Sequence, residues 1–213
     1  MIVREGFRKM LELEPGLKVV GEAADGRKAV DLVEKLHPDV VLMDIAMPRL
    51  NGLEATRQLL KVCPDTKVIM LSAHSDDAYV EAATAAGAVG FLLKQMSAHV
   101  VCQAVREVQQ GGRFFDASIA RRLHKPGHRA PGRAGPALAR KASLSSREME
   151  VLQLIAEGKA NKQTAAELGI SNKTVEKHRD HLMQKLDIHD TAGLTRYAIG
   201  AGIIESTAQV SFV

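Results

Sequence analysis

A chain of 213 residues with 46% apolar side chains has the material for two modest cores, and five Phe, two Tyr and no Trp point to cores of Leu, Ile, Val, Met and Ala rather than an all-β sandwich. The net charge of +4 is unevenly spread: residues 1–116 carry 14 Lys/Arg against 16 Asp/Glu, residues 117–144 carry 7 against none, and residues 145–213 carry 8 against 9. Cys63 and Cys102 have no close-spaced partner, which argues against a disulfide framework or a zinc site. No apolar run approaches the ~18–20 residues of a bilayer span, and Met1 to Glu5 lacks a signal-peptide pattern, so a soluble cytoplasmic protein with no membrane partner is expected.

In chain order, Leu17 to Glu22 is predicted as a strand, Arg27 to Leu36 as a helix, Val40 to Asp44 as a strand, Gly52 to Val62 as a helix and Lys67 to Leu71 as a strand. A helix over Asp76 to Ala86, a strand over Gly90 to Leu93 and a helix over Ala98 to Gln110 follow. Strands alternating with helices imply a parallel sheet covered on both faces. The 117–143 segment, with Pro126-Gly127, Pro131-Gly132 and Gly135-Pro136, reads as a flexible basic linker, first a solvated tether and alternatively an arm that adds non-specific phosphate contacts near DNA. Beyond it, Leu144-Ser145-Ser146-Arg147-Glu148 opens a serine-capped helix that Gly158 stops. Lys162 to Leu168, a turn at Gly169-Ile170 and a longer helix from Asn172 to Leu186 capped by Ser171 form a helix-turn-helix pattern. Thr191 to Ala201 is a closing helix.

Three polar residues close three apolar runs: Asp44 after Val40 to Met43, Ser72 after the second run and Lys94 after the third. Chemistry in a parallel α/β sheet gathers outside the carboxyl ends of its strands. A carboxylate, a hydroxyl and an ammonium meeting there could hold a phosphoryl group, with Asp44 the acceptor, Ser72 a donor and Lys94 a counter-charge. Such chemistry needs Mg²⁺, and a hard cation asks for more carboxylates than Asp44 alone.

The motifs Asp44-Ile45-Ala46-Met47-Pro48 through Asn51-Gly52, Leu71-Ser72-Ala73 and Gly90-Phe91-Leu92-Leu93-Lys94 resemble the receiver domain of two-component response regulators, over essentially all of residues 1–116. The resemblance implies a flavodoxin-like, doubly wound α/β domain in which Asp44 is phosphorylated by a sensor histidine kinase, Ser72 and Lys94 hold the phosphoryl group and Phe91 is an aromatic switch. Receivers open with an apolar strand that ends in two acidic residues for Mg²⁺. This chain starts at the helix that follows, so a receiver lacking its first strand, with Asp44 as its remaining metal carboxylate and a weakened Mg²⁺ site, is the expectation. An upstream true start is favoured over a degenerate receiver used only for protein interaction. An enzyme acting on a small phosphate substrate is disfavoured, because Asp44 has no second acid nearby in sequence and the chain has no pocket-forming insertion.

The stretches Leu144 to Leu152 and Ser171 to His178 through Lys185-Leu186 resemble the LuxR-type helix-turn-helix of the NarL/FixJ response regulators. This implies a small all-α DNA-binding domain over 144–206, followed by a tail at 207–213. Val175, His178, Leu182 and Leu186 recur at helical spacing and face the core, while Lys173, Thr174, Lys177, Arg179 and His181 lie on the opposite surface and, with Lys185, are the candidate DNA contacts. His178 and His181 therefore fall on different faces, which argues against a shared metal site. Glu176 stands where relatives often carry a basic residue. The family's closing helix makes the dimer contact, and packing on its own domain is an equal alternative here. The expected protein is thus a phosphorylation-switched transcriptional regulator with DNA, a kinase, a second copy and RNA polymerase as partners.

Overall fold

The computed structural model describes residues 2–73, 75–115 and 144–204. The basic linker expected over 117–143 and the tail over 207–213 lie outside the described residues. In chain order the elements are α1 (Ile2–Glu12), α2 (Gly26–Leu36), β1 (Val40–Asp44), α3 (Gly52–Val62), β2 (Lys67–Ser72), α4 (Asp77–Ala86), β3 (Gly90–Leu93), α5 (Ala98–Gln109) and β4 (Phe114–Phe115). Then come α6 (Ser146–Ala156), α7 (Asn161–Leu168), α8 (Asn172–Leu186) and α9 (Thr191–Gly200).

The four strands are parallel in the order β1-β2-β3-β4. Their alternation divides the apolar side chains between two cores. Val68 and Met70 of β2, Met43 of β1 and Phe91 of β3 pack with α2, α3 and α4, while Ile69, Leu71 and Leu92 pack with α5, and Phe7 and Met10 of α1 border that second core. This is the doubly wound α/β arrangement expected for the first domain.

The segment Leu17 to Glu22, expected as a strand, is not one. Its residues join no ladder, and Val20 is half exposed. A strand is held by its neighbour's hydrogen bonds, and the sheet ends at β1 without one for this segment. Phe114–Phe115, in contrast, pairs with Gly90 and Phe91, a ladder too short to announce itself in sequence.

The second domain has its own core, built by Val151, Leu152, Ile155, Val175, Leu182, Leu194 and Ala198. Local chemistry sets its helix ends. Ser145 and Glu148 form a reciprocal capping box at α6, and Ser171 Oγ accepts from Thr174 N at the start of α8. Gly169, at φ +63°, ends α7 in a left-handed turn that a side chain would strain. Val175 and Leu182 are fully buried and Leu186 lies at the core's margin, as the stripe on α8 predicts, whereas His178 is only half-buried.

Candidate functional site

The carboxyl ends of β1, β2 and β3 bring the three polar residues together. Asp44 is in register with Leu71, Ser72 with Leu93, and Lys94 N donates to Ser72 O at 2.8 Å. Lys94 Nζ lies 2.8 Å from Asp44 Oδ2, and Asp44 Oδ1 accepts the N–H of Ala46 at 3.2 Å. About a third of the Asp44 side chain is exposed, so an incoming group can reach it. Ser72 is buried at the adjoining strand end. Phe91, three residues before Lys94, is fully buried beside β2.

The loop after Asp44 is shaped by close backbone approach. A Cβ at Gly52 would stand 1.9 Å from the carbonyl oxygen of Asp44, so only glycine lets α3 start against the strand end. Gly52 N donates to Ile45 O at 2.8 Å, and Asn51 caps α3 by accepting from Glu54 N at 3.0 Å. Arg49 sits at φ +68°, unusual for a non-glycine residue.

On α8, Lys173, Lys177 and His181 follow one another at four-residue spacing and are all exposed, forming one stripe. The other three candidates are engaged within the domain. Thr174 Oγ1 shares a 2.8 Å hydrogen bond with Ser171 Oγ. Arg179 donates to Asn161 Oδ1 at 3.3 Å and to Thr191 Oγ1 at 2.5 Å, bracing α8 against the starts of α7 and α9. Lys185 Nζ is 2.7 Å from the buried Glu148 Oε2 of α6. Burial pushes the Glu148 carboxyl up, but bonds from Lys185 and Ser145 outweigh it and hold the group below its ordinary range.

The two domains also share a polar contact that no motif in the sequence announces. Gln153 of α6 is fully buried. Its Oε1 accepts from Asn51 N at 2.7 Å and Asn51 Nδ2 at 3.3 Å, and its Nε2 donates to Met47 O at 2.7 Å and Glu157 Oε1 at 2.8 Å. Glu150, also buried, meets Arg27 at 2.9 Å and Gln58 at 2.9 Å from the first domain, and Arg147 at 2.6 Å from its own. Arg49 N donates to Glu157 at 2.9 Å, and its guanidinium reaches Glu167 at 3.4 Å. Polar residues on the second-domain helix give no sign in sequence that they are covered.

A parallel α/β domain with an aspartate, a serine and a lysine at its strand ends, followed by a helix-turn-helix, defines the class of two-component response regulators. Residues 1–106 match the response regulator receiver domain, and residues 142–198 match the luxR family of bacterial regulatory proteins. The chain is 40% identical to the transcriptional regulatory protein DegU of Brevibacillus brevis over 89% of this chain and 85% of that one. It is 38% identical to the transcriptional regulatory protein LiaR of Bacillus subtilis over 92% of each. It also resembles RcsB of Salmonella enterica serovar Typhimurium, solved bound to a promoter in the presence of the phosphomimetic BeF3-, with 29% identity, 93% of each chain covered and a TM-score of 0.54. The chain belongs to the NarL/FixJ family of response regulators, with an N-terminal receiver and a C-terminal LuxR-type DNA-binding domain.

Receiver domains typically use Mg²⁺ for phosphorylation. Among the described residues no three His, Cys, Asp or Glu side chains stand close enough to hold a metal ion. Asp44, paired with Lys94, is a single carboxylate among the described residues, where a hard cation asks for more, so it would hold the ion weakly. No described helix is long and apolar enough to cross a membrane.

Proposed function

We propose that Asp44 is the phosphoacceptor and that its phosphorylation controls DNA binding by the helix-turn-helix. The observation that carries this reading is the 2.8 Å pair between Lys94 Nζ and Asp44 Oδ2 at the carboxyl end of the sheet. A carboxylate oxygen of Asp44 attacks the phosphorus of a kinase phosphohistidine, the P–N bond breaks as the imidazole takes up a proton, and an acyl phosphate forms. Lys94 then faces a doubly charged group in place of a singly charged one, and the Ser72 hydroxyl, from the adjoining strand end, would donate to it. Phe91 is the aromatic whose repacking would carry the change to the receiver surface. New charge-assisted bonds of ~1.5–3 kcal/mol each are of the size needed to shift two states about a hundredfold.

On the DNA side, Lys173, Lys177 and His181 form the reading stripe, and Thr174, Arg179 and Lys185 act mainly by holding α8 in place. A sensor kinase, a second copy of the chain and RNA polymerase are the further partners this reading requires. That Asp44 stands as a lone carboxylate among the described residues favours a second reading, in which the receiver serves only as a protein-interaction module. Incubation with acetyl phosphate and Mg²⁺ followed by intact-mass measurement separates the two. The first predicts one added phosphoryl group that Asp44→Asn abolishes. A label that persists in Asp44→Asn removes Asp44 as acceptor, and an unlabelled chain favours the second reading.

A further inference from the structure

We propose that Gln153 is a latch that reads the loop after Asp44, so that the receiver restrains α6 of the DNA-binding domain while leaving the reading stripe of α8 uncovered. The Gln153 amide presents an acceptor oxygen and a donor nitrogen, and the loop engages both: Oε1 takes the Asn51 N–H at 2.7 Å and Nε2 gives one of its N–H groups to the Met47 carbonyl at 2.7 Å. This is how a neighbouring peptide unit would pair, and it makes Gln153 sensitive to the spacing of those two backbone groups. The ends of the loop are tied to the site. Ala46 N bonds Asp44 Oδ1, and Gly52 N bonds Ile45 O. From Asp44 Oδ1 to Gln153 Nε2 the path runs through Ala46 and Met47, two adjoining residues.

The flanking contacts fit the same role. Glu150 is buried between Arg147 of its own helix and Arg27 and Gln58 of the receiver, so undocking removes two partners but leaves it one. Arg49 holds a left-handed backbone while its N–H bonds Glu157. Leu154 is buried yet lies outside the core of its own domain, as a residue covered at a domain contact would. A second touch is at the end of α9, where a Cβ on Gly202 would meet the Tyr79 ring of α4 at 2.3 Å. In this same arrangement Lys173, Lys177 and His181 remain exposed. Closing the latch therefore fixes the position of the domain without hiding its reader. Only the trigger rests on Asp44 being the phosphoacceptor; the latch stands on the contacts themselves.

Hydrogen–deuterium exchange on the full chain tests this. Gln153→Ala should speed exchange of the 45–51 amides about tenfold or more, since three interdomain hydrogen bonds are lost, while β2 and α8 exchange as before. Arg27→Ala, which cuts the contact from the receiver side, should change the same loop in the same direction and covers the case that Gln153→Ala misfolds. Unchanged exchange at 45–51 in both variants would overturn the latch. Faster exchange of α8 in Arg27→Ala would show that the reader had been covered, and would overturn that half of the proposal. In the parent chain, confirmed labelling of Asp44 without any change at 45–51 would overturn the trigger, whereas absence of label would count against the phosphoacceptor reading alone.

Discussion

Lys177 and Lys185 share one helix, yet their surroundings differ. Lys177 is exposed between Lys173 and His181, where recognition helices reach base edges. Lys185 is held by Glu148 at 2.7 Å. Lys177→Ala should cost about 1–3 kcal/mol of operator affinity and relax sequence preference, with the thermal midpoint of the domain unchanged. Lys185→Ala should instead lower stability by about 1–3 kcal/mol, because it leaves a buried carboxylate short of a partner. DNA titrations and thermal melts on both variants check this pair. Lost operator affinity with full stability in Lys185→Ala would make that residue a phosphate anchor after all. The strand-end positions of Asp44, Ser72 and Lys94 were legible because each follows an apolar run, a signal that survives without tertiary information. The pairing of Lys185 was not, since a solvated lysine and one that braces a helix look alike until their neighbours are known.

At the scale of elements, α6 joins three structures at once: its own core, the end of α8 through Lys185, and the receiver through Gln153. Its cap acid Glu148 has a folded pKa held below the ordinary value, against the push of burial, by Lys185 and Ser145. Glu167, bonded first by Lys159 and then by Arg49, is shifted the same way. A depressed carboxyl contributes stability that is complete above its unfolded pKa of about 4.3 and is lost as pH falls through the folded value. Urea midpoints should therefore hold steady near neutrality and drop in acid, and Glu148→Gln should shallow that drop while lowering the neutral plateau. An unchanged acid limb in Glu148→Gln would show that this carboxyl does not set it. The helices of this domain could be read from caps and glycines because those signals are local. Leu17 to Glu22 misled for the opposite reason: its alternation suits a strand, but whether it becomes one depends on a neighbour. Phe114–Phe115 pairs because β3 lies beside it, although two residues carry no period of their own.

For the whole molecule, the charge distribution and the domain contact bear on one function. The second domain is slightly acidic overall, with 8 basic against 9 acidic side chains over 145–213, so on the proposed reading its attraction to DNA would rest on the local stripe and should weaken steeply with salt. Its first helix is bonded to the loop that follows Asp44, a contact between residues about a hundred positions apart that no sequence pattern announces. On the proposed function, phosphoryl chemistry at Asp44 sets the affinity of the helix-turn-helix for DNA. Its most direct test is an operator titration with and without acetyl phosphate and Mg²⁺, run in parallel on the parent chain and Asp44→Asn. The account predicts an affinity change in the parent of about 5–150-fold, the usual size of coupling between two sites, and none in Asp44→Asn. An equal change in both chains, or no change in a parent chain shown by mass to be labelled, would contradict it.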